Sequence, residues 1–174
     1  MTVRKTIAAA LAAATLTVSA TPCLPIAQAQ AGNIKQSAAT DGYYTIGSAS
    51  AQEQVAYNLI NQERSSASLG ALTLDPTLCR LARLKSQDMV DNRYFAHESP
   101  TYGNVRTMLQ NAGYTFAGAG ENIARYGTLE KAHAGLMSSS GHRRNILSSA
   151  WTKVGVGIAY DANGFIYLTQ IFAR

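Results

Sequence analysis

Apolar residues recur at helical spacing in several stretches after residue 50, and turn residues separate these stretches. The first helix is predicted to begin at Ser50-Ala51-Gln52-Glu53, which has the Ser-x-x-Glu form of a capping box, and to end near Leu69-Gly70. The second is predicted to begin at Asp75-Pro76, because aspartate is a good cap and proline suits the first helical position, and to end at about Asn92. The apolar stripes of these two helices are Val55, Leu59 and Ile60, and Leu78, Leu81, Ala82 and Met89.

Two further helices follow, with short extended segments between them. Asn104 is a candidate cap for the third helix, and Thr128 is a candidate cap for the fourth. Residues 114–117 and 121–125 have short extended patterns separated by a glycine-rich turn, which predicts Glu121 at the start of a strand. The apolar stripes of the third and fourth helices are Val105, Met108, Leu109 and Ala112, and Leu129, Ala132, His133 and Leu136.

The C-terminal part of the chain predicts a β-hairpin. Lys153–Tyr160 and Phe165–Phe172 have extended patterns, and Asn163-Gly164 between them is a pair that favours a tight turn. Gly155 and Gly157 share one face of the first strand, so another element is expected to approach that face closely. Both faces of the second strand are apolar, as when helices cover both sides of a sheet. The pattern predicts an α+β fold, a three-layer α-β-α sandwich with a small antiparallel sheet between helices.

The first 31 residues have the parts of a secretory signal peptide. Arg4-Lys5 provides the positive start, residues 7–18 form an uncharged alanine-rich core, and residues 27–31 contain small-residue cleavage sites. The core is too short to span the roughly 30 Å of bilayer hydrocarbon, so no integral membrane anchor is expected. Residues 32–50 are rich in small and polar residues and predict a flexible tether, which places the domain at residues 51–174.

Charge and cysteine content narrow the function classes. The chain has 15 Lys and Arg against 10 Asp and Glu, and removal of the signal takes away two basic residues, which leaves a net charge of +3. These basic residues are scattered rather than clustered, so no nucleic-acid partner is expected. Cys79 would be the single cysteine after processing, which excludes an intramolecular disulfide framework. Its place on the apolar face of the second helix predicts a buried, inert thiol.

Three residues at the edges of predicted elements carry the candidate chemistry. His97 lies just past the end of the second helix, Glu121 lies at a strand start, and His142 lies in a polar turn within residues 138–147. Two imidazoles and a carboxylate in one cleft would form a divalent-metal site or an acid/base site. Separations of 24 and 21 positions do not by themselves indicate a metal site, because close spacing is what makes metal motifs informative. From the residues alone, a role in local structure remains the alternative for each.

Other polar residues near these positions are assigned to structure. His133 lies on the apolar stripe of the fourth helix and is predicted to be a packed or rim histidine rather than a ligand. Asn122, Asn145 and Gln170 are predicted to be buried amides, because an amide can bind several backbone groups at once. Ser138-Ser139-Ser140 is interpreted as a helix cap rather than a nucleophile, since the chain has no Gly-x-Ser-x-Gly elbow.

Five short motifs occur in one order along the chain, and together they resemble a bacterial CAP (SCP-like) domain. That superfamily is named for cysteine-rich secretory proteins, venom antigens and plant pathogenesis-related proteins. The resemblance covers about residues 51–174 and implies an α-β-α sandwich with a large cleft. The motifs are Asn61-Gln62-Glu63-Arg64, Phe95-Ala96-His97, Gly120-Glu121-Asn122-Ile123, Gly141-His142-Arg143-Arg144-Asn145-Ile146-Leu147 and Thr169-Gln170-Ile171-Phe172.

The resemblance also implies a cleft with two histidines and two acidic residues that bind zinc or another divalent cation. By motif match, His97, Glu121 and His142 take three of these four places. The fourth place falls near Ser139, which has no carboxylate, and Leu136 replaces the family's tryptophan on the same helix. Two neutral imidazoles and one carboxylate are still enough ligands for zinc, with one position open for water.

Two classes of function follow from the resemblance. The first is a secreted, extracellular binding domain whose cleft holds a cell-envelope or host ligand, such as a lipid, glycan or peptide, with or without a bound metal ion. The second is a metal-dependent or acid-base hydrolase acting on peptidoglycan or protein. In that enzyme Glu121 would be the general acid or base, and the histidines would be ligands or proton shuttles. The missing second acidic residue favours the binding domain.

Overall fold

The computed structural model describes residues 50–174, which form helices on both faces of one sheet. The predicted signal peptide and, apart from Ser50, the predicted tether lie outside these described residues. The helices are α1 (Ala51–Ser66), α2 (Pro76–Asp91), α3 (Val105–Asn111), α4 (Leu129–Ser138) and α5 (Ser140–Ile146). The strands are β1 (Thr73–Leu74), β2 (Ala119–Tyr126), β3 (Lys153–Tyr160) and β4 (Ile166–Ala173).

The strands lie in the order β1-β3-β4-β2. β3 and β4 pair antiparallel with Val156 opposite Gln170, which confirms the predicted hairpin. β2 pairs antiparallel with the other side of β4, where Asn122 lies opposite the same Gln170. The short β1, which the sequence pattern did not predict, pairs parallel with β3, so the sheet is antiparallel except at this edge.

Helices cover both faces of the sheet, which confirms the predicted three-layer sandwich. α1, α4 and α5 pack on one face, and α2 and α3 pack on the other. Each face therefore has its own apolar core, as the two-sided apolar pattern of β4 requires. Buried core residues include Ile60, Leu136, Ile146, Val156 and Leu168 on the first face, and Leu78, Leu81, Leu109 and Ile171 on the second.

The two glycines of β3 allow α2 to lie directly on the sheet, as their pattern predicted. A Cβ atom added to Gly155 would overlap the backbone of Leu78 and Cys79, and one added to Gly157 would overlap the backbone of Arg83. Backbone cannot yield as a flexible side chain does, so this contact requires glycine at both positions. The resulting position of α2 sets the place of the loop that carries His97.

All four predicted caps are present, and several predicted boundaries differ. Ser50 and Glu53 form the capping box of α1, although α1 ends at Ser66 rather than near Gly70. The other capping side chains are Asp75, Asn104 and Thr128. Residues 114–117 do not form a strand, and β2 begins at Ala119, so Glu121 is its third residue rather than its first.

The polar segment that contains His142 is a helix rather than the predicted turn. α5 begins after Ser139, whose side chain makes no capping hydrogen bond. Ile146 is fully buried in the core under α1 and α4, and Asn145 bonds to β2. These long-range contacts favour the helix where the local serine and glycine content does not.

Candidate functional site: a cleft with two histidines and a buried glutamate

Glu121 and His97 are in direct contact. Glu121 lies on β2 with a side chain that is only 3% exposed, and its Oε1 atom lies 2.7 Å from Nδ1 of His97. An ionised carboxylate can only accept a hydrogen bond, so Nδ1 of a neutral His97 carries the proton and donates it. The Nε2 atom of His97 is then the free acceptor of the ring, which is the state in which an imidazole binds a metal ion.

The loop that carries His97 is held by a buried lysine of α2. Lys85 Nζ donates to the backbone carbonyl of His97 at 2.9 Å and to the hydroxyl of Tyr94 at 3.2 Å. Burial lowers the pKa of Lys85, because the charged ammonium group loses its water, while nearby Glu121 opposes this decrease. The lysine therefore fixes the backbone at the histidine from inside the fold.

Asp88, one turn further along α2, holds the same loop at several points. Its carboxylate accepts hydrogen bonds from the hydroxyls of Ser99 and Thr101, each at 2.6 Å, from the amide of Asn92 at 2.7 Å and from the hydroxyl of Tyr94. Burial alone would raise the pKa of Asp88, but these hydrogen bonds lower it below its ordinary value. The His97 loop is consequently tied to α2 on both sides of the histidine.

The buried amides of Asn122 and Gln170 and the half-buried amide of Asn145 join α5 to the sheet and so position His142. Asn122 Nδ2 donates to the backbone carbonyl of His142 at 3.1 Å and to Oε1 of Gln170 at 3.0 Å. Asn145 Nδ2 donates to Oδ1 of Asn122 at 2.9 Å and to the carbonyl of Glu121 at 3.2 Å. The structural role predicted for the three amides is therefore confirmed, and the same bonds bring α5 against the strand of Glu121.

The two histidine rings lie near each other across the site. Their centroids are 6.4 Å apart, with an angle of 39° between the ring planes. The hydrogen bond to Glu121 raises the pKa of His97, whereas burial lowers the pKa of His142. The fold therefore brings the three predicted site residues together. Within residues 50–174, however, no group of three or more His, Cys, Asp or Glu side chains is arranged to hold a metal ion.

A cleft with a volume of about 270 Å³ extends from His142 along the edge of β2. Ser139, at the place where the family has a second acidic residue, lines this cleft together with Leu136. Residues that were not predicted as part of the site also line it, namely Phe95, Ile123, Ala124, Arg125, Tyr126 and Gly135. Phe95 and Tyr126 are exposed aromatic residues, and that exposure is a tertiary property which no sequence motif indicates.

His133 has a different environment from His97 and His142. It is buried on α4, and its Nε2 atom lies 3.2 Å from Oε1 of Glu63 on α1. The hydrogen bond between these two side chains joins α4 to α1. The predicted packed position of His133 is thus confirmed, and this residue provides a control for experiments on the cleft.

Comparisons with known proteins establish the family. The family model for CAP, the cysteine-rich secretory protein family, matches residues 57–172. Because this match covers more than half of the chain, the chain belongs to the CAP family.

Two curated relatives come from Bacillus subtilis (strain 168). The chain is 43% identical to the protein YkwD over 128 residues, which are 73% of this chain and 49% of YkwD. It is 34% identical to the membrane protein YlbC of the same organism over 142 residues, which are 81% of this chain and 39% of YlbC. The chain thus spans half or less of the length of these two relatives.

Solved structures confirm the fold. An extracellular protein containing an SCP domain from Bacillus anthracis str. Ames is 37% identical with a TM-score of 0.65, over 71% of this chain and 40% of that one. NaASP2 with Zn2+ is 13% identical with a TM-score of 0.52, over 71% of this chain and 80% of that one, and this likeness shows the fold alone. Among the described residues, no helix is both long and apolar enough to cross a membrane.

Proposed function

We propose that this CAP domain is an exported binding domain whose cleft holds a ligand beside a divalent metal ion bound by His97 and His142. The observation that carries the proposal is the pair of imidazoles, one of which is oriented by a buried carboxylate. A metal-binding histidine commonly donates its second N–H to a carboxylate, which fixes the ring and increases its basicity. His97 and Glu121 have this arrangement.

The donor groups present are those that zinc prefers. His97 Nε2 and the ring of His142 supply two nitrogen donors. Glu121 Oε2 is buried without a hydrogen-bond partner among the described residues, and it would become a third donor only if the side chains moved from their present positions. Solvent or ligand atoms would complete a four-coordinate site. NaASP2, which has the same fold, is a protein solved with Zn2+, and this makes zinc the first ion to test.

The walls of the cleft support binding of an extracellular ligand. Exposed aromatic side chains, a histidine and a serine line one continuous groove. Such a mixture suits a lipid, a glycan or a peptide of the cell envelope or of a host. Export is proposed from the signal-like residues 1–31 and from the likeness to the extracellular Bacillus anthracis protein.

A hydrolase acting on peptidoglycan or protein is the second candidate. The observation that favours it is the free Oε2 atom of Glu121 beside two histidines, because such an oxygen can take or give a proton. Turnover that disappears in Glu121→Gln while zinc binding is retained would rank the enzyme first. Retained turnover in this variant would exclude Glu121 as the proton carrier.

Calorimetric titration of the secreted protein with zinc tests the metal site. Wild type is expected to bind zinc, and His97→Ala, Glu121→Gln and His142→Ala are each expected to bind it more weakly. His133→Ala is the matched control, since it removes an imidazole outside the cleft. Absence of binding by wild type, or an equal loss in His133→Ala, would reject the assignment.

A further inference from the structure

β2 is an edge strand with a defined outward side. Within residues 50–174, its one strand partner is β4. The N–H of Arg174 donates to the carbonyl of Gly118, so the backbone of Gly118 faces β4. Backbone groups alternate in direction along a strand, and therefore the even-numbered residues of β2 bond to β4. The N–H and C=O groups of Ile123 and Arg125 point to the outer edge.

This outer edge is covered at one end and open beyond it. The carbonyl of Glu121 accepts a hydrogen bond from Asn145, which covers the edge beside the histidines. No group of the described residues bonds to the outward N–H or C=O of Ile123 or Arg125. Folded proteins normally cover such edges, because unpaired strand groups otherwise recruit another strand.

The cleft runs along this open edge between the two helical layers. Phe95, which packs edge-on against Tyr167, forms one side of it. Gly135 and Leu136 of α4 form the other side together with Ser139, which lies between α4 and α5, and His142 lies at one end. The floor of the cleft is thus the side of a strand, with space above it and a wall on each side.

The side chain of Arg125 is held away from this edge. Its guanidinium group pairs with Asp161 at 2.8 Å and lies over the rings of Phe165 and Tyr167, with centroid distances of 4.7 and 5.1 Å. These partners belong to the β3–β4 hairpin, on the sheet side of β2. The backbone of Arg125 is therefore left open toward the cleft while its side chain has partners elsewhere.

We propose that the cleft binds an extended peptide, which pairs with the outer edge of β2 as an additional strand. A peptide offers alternating N–H and C=O groups that match those of Ile123 and Arg125, whereas an acyl chain offers neither. Continued toward Asn145, the added strand would lead to His142. This inference rests on the proposed role of the cleft as the ligand site, and it does not require bound metal.

A random 12-residue peptide library displayed on phage, selected on the immobilised secreted protein, provides the probe. Selected peptides are then synthesised and examined in two ways. Backbone N-methylation at single positions should weaken binding at alternate residues, because a strand bonds to its neighbour through every second residue. Amide hydrogen exchange of Ile123 and Arg125 should slow when peptide is added.

Arg125→Pro removes the outward N–H without removing a bond to β4, since proline is tolerated on the open side of an edge strand. Arg125→Ala is the matched control, because it loses the same side chain and keeps the N–H. Peptide binding is expected to be about tenfold weaker in Arg125→Pro than in Arg125→Ala, as for loss of one backbone hydrogen bond. If Arg125→Pro does not fold, N-methylation and hydrogen exchange with wild type decide the question.

Several results would overturn the proposal. The first is that the library yields no binder. The second is that a peptide binds but leaves the amide hydrogen exchange of Ile123 and Arg125 unchanged. The third is that N-methylation weakens binding without alternating along the peptide. Slower exchange caused by chitohexaose or by phosphatidylglycerol vesicles, but not by peptide, would also overturn it in favour of a glycan or a lipid. Zinc titration of His142→Ala and Arg125→Pro distinguishes failure of the peptide site from failure of the metal site. Arg125→Pro should retain zinc binding, whereas His142→Ala should bind zinc more weakly.

Discussion

Nδ1 of His97 lies 2.7 Å from Oε1 of Glu121, although the two residues belong to different layers of the domain. Glu121 is part of the central sheet, and His97 lies on the loop that follows α2. The contact joins an exposed imidazole to a buried carboxylate. It therefore determines which ring nitrogen of His97 remains free to bind another group.

Replacement of Glu121 by glutamine should lower the pKa of His97, because the hydrogen bond to the carboxylate raises it. A raised folded-state pKa means that protonated His97 stabilises the fold below the unfolded value of about 6.5. That contribution is lost as pH rises through the folded-state value. Wild type should therefore lose stability relative to Glu121→Gln over this range. Histidine titration by NMR tests the shift, and an unchanged His97 titration in the variant would contradict the contact.

Asp88→Ala should destabilise the protein by about 2–4 kcal/mol, because it leaves the buried hydroxyl of Ser99 and the half-buried hydroxyl of Tyr94 without their carboxylate acceptor. The pKa of Asp88 is lowered in the fold, so this contribution is present above its ordinary value of 3.8 and is lost as pH falls through the folded-state value. Denaturant unfolding at neutral and acid pH measures the difference. Asp91→Ala, on the exposed side of the same helix, is the control. Equal losses in the two variants would exclude a specific role for Asp88.

Gly157→Ala should destabilise the domain by about 1–3 kcal/mol or more, since the added methyl group would meet the backbone of α2. α2 would have to move away from β3, and the His97 loop would move with it. Gly70→Ala is the matched control, because nothing lies within 4 Å of a Cβ atom there. Thermal unfolding distinguishes the two, and an unchanged melting temperature in Gly157→Ala would refute the close approach.

Gly164→Val should destabilise by about 1–3 kcal/mol, because Gly164 has a φ of +79°, which a β-branched residue adopts only with strain. The turn is formed by residues 161–164, with the N–H of Gly164 donating to the carbonyl of Asp161. Asn163 does not have a positive φ, so the left-handed conformation rests on the glycine alone. Ala162→Val in the same exposed turn is the control. Similar unfolding midpoints for both variants would contradict this assignment.

Local sequence determined the helices with strong caps, the β3–β4 hairpin and the burial of its glycine face. Ser50, Asp75, Asn104 and Thr128 each satisfy backbone groups within three residues, so no distant contact is needed to place these helix starts. The alternation of β3 and β4 likewise specifies two faces from neighbouring residues. The ordered motifs also identified the family and named His97, Glu121 and His142, which the fold brings together.

Tertiary structure alone decided the features that depend on distant partners. The segment of His142 became a helix because Asn145 and Ile146 make contacts with β2 and the core that local composition does not encode. The way the layers pack also decides two other features. One is the set of hydrogen bonds by which Lys85 and Asp88 hold the His97 loop, and the other is the open edge at Ile123. Periodicity shows which residues share a face, but the distance between two faces is set only when the whole chain packs.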